Sequence, residues 1–389
     1  MAHPLRGRTA IAGVGQAGFP DATGFTEMEI LTQAALAACA DAGIGLAEVD
    51  GLATCSVTSG MWPMAVAESL GIRPRFLDGT MIGGSSFIAH LLPSMLALDA
   101  GLCETVLVCY GSTQRSATGG RAAIAAARKA MDPQPWEHPY GPATPAPSYA
   151  LAAARHMHQY GTTREQLAEV AVAARQWAQL NPEAFARDPL TIADVLGARM
   201  VADPLTVRDC CLVTDGAGAF ILTRAERARG LARPPVYVLG NATATWHRQI
   251  SSLADLTVTA ASESGSRAFE MAGIRAGDAD VVALYDAFTI NTILFLEDLG
   301  FCPKGEGGRF VADGAIAPGG RLAVNTNGGG LSCIHPGMYG IFLVIEAVRQ
   351  LRGECGERQV ADAQIAVVNG NGGVLSSQST AVLGSAATL

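Results

Sequence analysis

No CxxC pair occurs among the nine cysteines of this 389-residue chain, a usage that suggests reduced thiols and a cytoplasmic setting. No apolar stretch is long enough for a membrane: runs such as 87–98 and 341–348 are interrupted well short of the roughly 20 residues a span needs. The segment Met1–Arg8 lacks the apolar centre of a secretion signal. Charge is sparse, at 16% charged residues and a net charge of −8, which argues against nucleic acid as a partner. A phosphorylated ligand held by a few basic groups stays compatible with that balance. No GxxxxGK phosphate loop exists, and Gly13 to Gly18 is a weak dinucleotide lookalike. The seven histidines show no ligand spacing, which argues against a metal. His156 and His158, two apart on a helical pattern, would diverge. What remains is a globular chain, 49% hydrophobic, long enough to bury roughly three quarters of its unfolded surface.

The chain repeats itself. Ala42-Gly43-Ile44 precedes Asp50, and Ala272-Gly273-Ile274 precedes Asp280, giving one offset, 272 − 42 = 280 − 50 = 230. Each copy follows a helical pattern (Glu27 to Ala42, Gly265 to Ala272), and each helix follows a β-rich segment. Thr105 to Tyr110 and Gln364 to Asn369 read as buried parallel strands. Strand-helix-strand order with continuous apolar strands predicts a layered α/β fold with helices on both faces. Duplication is the better account of the two matches; chance in an Ala- and Gly-rich chain is the other. The halves are expected at 1–230 and 231–389.

Residues 112–204 interrupt the first half. A Ser/Thr/Gly/Arg stretch and a Pro-rich loop, 133–147, lead into helical patterns at Tyr149–Tyr160 and Arg164–Leu180. The second pattern has Thr162 or Thr163 as its cap and Asn181-Pro182 as its stop. Such an insertion builds a lid, a binding loop or an oligomer contact.

Met157-His158-Gln159-Tyr160-Gly161, Asp209-Cys210-Cys211, Tyr285-Asp286-Ala287-Phe288, Asn325-Thr326-Asn327-Gly328-Gly329-Gly330 and His335-Pro336-Gly337 occur in this order. Through them the chain resembles the thiolase superfamily, and within it the sterol-carrier-protein type. The resemblance implies the thiolase fold: two duplicated halves forming an αβαβα layered sandwich with mixed five-stranded sheets. It also implies a homodimer and an acyl-coenzyme A ligand, with no cofactor beyond the coenzyme A of the substrate.

In the family, a nucleophilic cysteine sits at a helix-opening turn, where a positive terminus favours a thiolate. Here that turn reads Gly83-Gly84-Ser85-Ser86, so the thiol is absent. The second family cysteine falls in a turn that reads Asn369-Gly370-Asn371-Gly372-Gly373, where Gly370 or Asn369 takes its place. His335 is retained, while the family's Asn-Glu-Ala-Phe has become Tyr285-Asp286-Ala287-Phe288. This combination resembles the aldolases that cut side chains from steroid acyl-coenzyme A thioesters. That resemblance implies a separate small partner with an OB-fold and a zinc ribbon, since neither module is in this chain.

Retro-aldol cleavage of a β-hydroxyacyl thioester needs a base for the hydroxyl proton, donors for the thioester oxygen and an acid for the departing carbon. Tyr285 and Tyr339 are the candidates for proton transfer. A phenol with its ordinary pKa near ~10 needs a neighbour to lower it, and His335 is that expected neighbour. His335, Asn371 and the turn amides around Gly83 and Gly370 are the expected oxyanion donors, and Asp286 is expected to fix its loop. Two other readings stand beside this one. An acyltransferase could use Cys333, two residues before His335; alternatively, the fold is a non-catalytic subunit. Cys210 and Cys211 are expected to open a buried strand, and Cys39, Cys103, Cys109 and Cys302 to fill core space.

Overall fold

The computed structural model describes residues 3–57, 59–117, 136–140 and 145–389. Residues 133–135 and 141–144 of the Pro-rich loop expected at 133–147, and the polar stretch beyond residue 117, lie outside the described residues.

Among the described residues, twelve strands run in chain order as β1 (Thr9–Ala17), β2 (Gly51–Thr54), β3 (Phe76–Asp78), β4 (Thr105–Ser112), β5 (Met200–Ala202), β6 (Leu205–Thr206), β7 (Gly216–Arg224), β8 (Val236–Thr245), β9 (Val281–Leu284), β10 (Ala323–Val324), β11 (Ile365–Gly372) and β12 (Ser377–Gly384). Ten of them form the order β3-β2-β4-β7-β1-β8-β12-β11-β9-β10. Five strands come from each end of the chain, and their pairing is the same in both sets. β1 and β8 run antiparallel to β7 and β12, which run antiparallel to β4 and β11; those pair in parallel with β2 and β9. The sheets are thus mixed, and β4 and β11 are parallel on one side only, a correction to the all-parallel reading of their apolar runs. The two five-stranded sets also touch at their edges, through Ala10 with Tyr237 and Ile11 with Val236.

Helix Glu27–Ala42 covers β1, β7 and β4, and helix Ala261–Ala272 covers β8 and β12. Between the two sets of strands lie helices Leu91–Asp99 and Gly340–Arg352, which contact strands from both sets, and helix Ser86–Ala89, which contacts β8, β11 and β12. The result is the α-β-α-β-α layering of the thiolase fold. Local signals set the helix ends. Thr26 and Glu29 form a reciprocal cap on Glu27–Ala42, Thr163 and Gln166 do the same for Arg164–Gln179, and left-handed Gly43 and Gly273 end the two repeated helices.

Each repeated helix lies close against its strand because the strand lacks a side chain there. A Cβ on Gly13 would lie 2.7 Å from Ala42 N, and one on Gly240 would lie 3.0 Å from Ala272 N and closer still to the Ala268 carbonyl. Both glycines adjoin a register shift, between Ile11 and Gly13 in one set and beside the Val382–Gly240 pair in the other. Gly240→Ala is expected to destabilise the protein by roughly 3 kcal/mol through overpacking, seen as a lower midpoint in chemical denaturation.

Candidate active site

The turn where the resemblance places a thiol has no room for one. Gly83 adopts φ +85°, and a Cβ there would lie 2.6 Å from Gly373 N and 2.7 Å from Gly372 Cα. The second position is equally closed, since a Cβ on Gly370 would meet Ile88 Cδ1 at 2.7 Å and Ser85 Cα at 3.0 Å. Hydroxyls stitch the two turns together. Ser85 Oγ lies 2.7 Å from Ser377 Oγ, both hydroxyls donate to the Ile82 carbonyl, and the Ile82 N–H donates to Ser86 Oγ.

Gly84 opens the space that Tyr285 fills. Tyr285 directly follows β9, and a Cβ on Gly84 would lie 2.5 Å from its Cζ and Oη. Three rings gather there: Tyr285 meets His335 edge-on at 5.5 Å and Tyr339 at 5.6 Å, and His335 stacks on Tyr339 at 6.1 Å. The structure therefore brings together all three residues expected to carry catalysis. Tyr285 is 4% exposed, Tyr339 0% and His335 8%.

Two phenols hold the loop that carries His335. Tyr110 donates to the Pro336 carbonyl at 2.7 Å and accepts from Met338 N–H at 3.2 Å. Tyr285 donates to the Gly337 carbonyl at 3.4 Å and accepts from Tyr339 N–H at 3.1 Å. Four successive residues thus give alternate backbone groups to two hydroxyls, and Thr214 Oγ1 accepts from His335 N–H. Tyr339 caps helix Gly340–Arg352, and its hydroxyl donates to Asn327 Oδ1 at 3.2 Å.

This environment corrects the expected electrostatics. Burial pushes both Tyr285 and Tyr339 well above an ordinary phenol, because the phenolate would lose its solvation. His335 lies beside Tyr285 without reversing that effect. Both phenols are proton donors at neutral pH rather than bases.

Asp286 lies beneath the cluster. Its carboxylate accepts from Gly330 N–H at 2.7 Å and Leu331 N–H at 3.3 Å, shaping the tight turn Gly329–Cys333 that leads into His335. Burial, opposed by these two donors, raises its pKa to about 7.

The expected oxyanion donor Asn371 is held by side chains other than the three rings. Its Nδ2 donates to the Tyr149 hydroxyl at 2.8 Å, and its Oδ1 accepts from Gln378 Nε2 at 2.7 Å. Tyr149 stacks on Phe288 at 4.4 Å, so the helix Pro145–Tyr160 reaches both the 285–288 motif and the glycine turn. Sequence reading placed that helix in an insertion but gave Tyr149, Tyr110 and Gln378 no role, because their hydrogen-bond partners lie more than 200 residues away or in the facing strand.

The cysteines are placed as follows. Cys333 is buried, its sulfur accepts from Asn181 Nδ2 at 3.6 Å, and burial drives its thiol far up. Burial raises Cys39 and Cys103 to about 11 and Cys109 and Cys302 to about 12. Cys210 and Cys211 do not open a strand, since β7 begins at Gly216. They run half-buried alongside the 285–288 motif, Cys210 bridging Phe288 and the Cys211 N–H donating to the Ala287 carbonyl. The intervening Asp215 accepts from Ala22 N–H and Arg115 N–H, which bends the chain away before the strand starts.

A layered sandwich of two like halves, in which the helix-opening turn of the first meets the β11–β12 turn of the second, is the thiolase architecture. The family described as "Thiolase C-terminal domain-like" matches residues 242–385. An "Acetyl-CoA acetyltransferase" of Methanothermobacter thermautotrophicus is 36% identical over 372 residues, covering 94% of this chain and 96% of that protein. A "Steroid side-chain-cleaving aldolase" of Thermomonospora curvata is 37% identical over 365 residues, covering 90% and 91%. The solved structure of an "Ltp2-ChsH2(DUF35) aldolase" superposes with a TM-score of 0.88 at 34% identity, covering 98% of each chain. The chain belongs to the thiolase superfamily.

Two outcomes follow from this geometry. Gly83→Cys is expected to lower stability by on the order of 2 kcal/mol and to give no acyl adduct in an intact mass spectrum after incubation with acetyl-coenzyme A. Asp286 has its folded pKa raised above the ordinary 3.8 to about 7, so its stabilising contribution is full below the ordinary value and is lost as pH rises through 7. Asp286→Asn removes that titration. The melting temperature of the wild type, measured relative to this variant, is expected to fall between pH 4 and pH 7 and to level off above.

Proposed function

We propose that this protein is a thiolase-like aldolase that cleaves a β-hydroxyacyl-coenzyme A by a retro-aldol reaction. The observation that carries the reading is the closed glycine turn at Gly83, with the buried phenol of Tyr285 against the adjoining Gly84 and the rings of Tyr339 and His335 packed on that phenol. A site built this way has donors and a base but no space for an acyl-cysteine. The aldolase relatives support the same reaction class.

His335 takes the role of base in this reading, because both phenols hold their protons. The imidazole accepts the β-hydroxyl proton as the bond between the α and β carbons breaks and a carbonyl forms at the β carbon. The bonding electrons move onto the α carbon and the thioester oxygen as an enolate, which Asn371 and the turn amides stabilise as donors. A phenol, Tyr285 or Tyr339, protonates the α carbon and recovers its proton from the imidazolium. The products are a ketone or aldehyde and a shorter acyl-coenzyme A, and the proton count closes.

A steroid or similarly bulky side chain as substrate, a homodimer, a cytoplasmic location and a separate OB-fold and zinc-ribbon partner complete the proposal. The partner draws support from the structural neighbour, whose name, "Ltp2-ChsH2(DUF35) aldolase", joins two proteins. The acyltransferase reading would require an ionised thiol, and the burial of Cys333 works against one there. Tyr285→Phe separates the enzyme from a non-catalytic subunit. It is expected to reduce cleavage of β-hydroxyacyl-coenzyme A by about 100-fold, measured as release of the short acyl-coenzyme A by chromatography. An unchanged rate, or an acyl adduct on any cysteine of the wild type, overturns the reading.

A further inference from the structure

A line of buried side chains runs through the hairpin β11–β12 into the site. Ser264 Oγ lies 2.8 Å from Thr380 Oγ1, Thr380 donates to Asn369 Oδ1 at 2.8 Å, and Asn369 Nδ2 donates to Gln378 Oε1 at 3.0 Å. Gln378 Nε2 then donates to Asn371 Oδ1 at 2.7 Å, Asn371 Nδ2 to the Tyr149 hydroxyl at 2.8 Å, and Tyr149 to the Gly373 carbonyl at 3.1 Å. All six side chains are buried.

The direction of this line is forced. The Gly373 carbonyl can only accept, so Tyr149 must donate to it and must accept from an amide nitrogen. That fixes Asn371 with Nδ2 toward Tyr149 and Oδ1 toward Gln378, and the same logic passes back to Thr380. Ser264 is therefore the donor in the first pair. No amide in the line can flip without stranding a buried group, which costs more than the bond itself contributes.

We infer that this one-way line is the device that orients Asn371 as oxyanion donor, and that Tyr149, supplied by the insertion helix, is its positioning residue. An amide nitrogen carries two hydrogens, and Tyr149 uses one of those on Asn371. Accepting at Oδ1 from Gln378 polarises the amide and strengthens the other N–H as a donor. Tyr149 also holds the Gly373 carbonyl, in the turn that closes against Gly83. The insertion thereby sets the electrostatics of a site formed by the core. This inference rests on the aldolase reading for its kinetic part only.

Tyr149→Phe keeps the ring on Phe288 and removes both hydrogen bonds; Gln378→Met breaks the line without touching the insertion. In full-length protein each is expected to reduce kcat for β-hydroxyacyl-coenzyme A cleavage by about tenfold with KM changed by less than about threefold. Combining Tyr149→Phe with Asn371→Ala should reduce kcat no further than Asn371→Ala alone. Amide hydrogen exchange at residues 372–376 should quicken by about tenfold in both single variants. Losses that multiply in the double variant, or unchanged exchange across 372–376, overturn the inference. If the wild type cleaves no such thioester, the proposed function fails, and the exchange result alone then decides for or against the line.

Discussion

Where the two halves meet, Gly83, Gly84, Gly340 and Gly370 bring backbone against backbone and backbone against ring with no Cβ between them. This close approach is the constraint on which the site depends. It seats Tyr285 over Gly84, presses the helix-opening turn onto Gly372 and Gly373, and leaves Ser85 and Ser377 close enough to share the Ile82 carbonyl. A thiol at either turn would push these surfaces apart. The ring of Tyr285 lies over Gly84, while the positions aligned with the family cysteines, Gly83 and Gly370, face Gly372, Gly373 and Ile88, so neighbouring glycines separately seat the phenol and exclude a thiol.

The polar groups around that contact divide into two systems with different tasks. Tyr110 and Tyr285 grip alternate backbone groups from Pro336 to Tyr339 and so place the imidazole of His335. Asn369, Gln378, Asn371 and Tyr149 form the amide line that ends at Gly373. Both systems are buried, which makes every donor count and raises the phenols. Burial therefore keeps each phenol protonated, and the proposed chemistry assigns the phenols as acids and the imidazole as base.

Farther from the reacting groups, the insertion is bound to the second half by a buried ionic knot. His156 Nε2 lies 3.1 Å from both oxygens of Glu297, its Nδ1 lies 2.8 Å from Thr162 Oγ1, and Lys304 lies 3.1 Å from Glu297. Arg175 adds a second tie, to Ser332 in the turn before His335. The helix bearing Tyr149 is thus fixed at its far end, which lets a hydroxyl on an insertion keep a set position in the core.

Much of this was legible in the residues alone. Apolar periodicity and the Ala-Gly-Ile repeat marked the helix Glu27–Ala42 and, from Gly265 to Ala272, the later part of the helix Ala261–Ala272, together with their matching places, because these signals are local and the covering surface is the same in both halves. The motif residues Tyr285, His335 and Tyr339 were legible as a set for the same reason, each standing in its own short block. Tertiary structure alone decided what those groups do. The protonation of the phenols depends on burial by segments more than 50 residues distant, and the roles of Tyr149 and Tyr110 depend on partners more than 200 residues away. Cys210 and Cys211 were misplaced because Asp215, tied to backbone groups of two other segments, turns the chain before β7 begins. Sequence patterns report what a segment prefers by itself, whereas pKa values and hydrogen-bond direction are set by whatever excludes water around it.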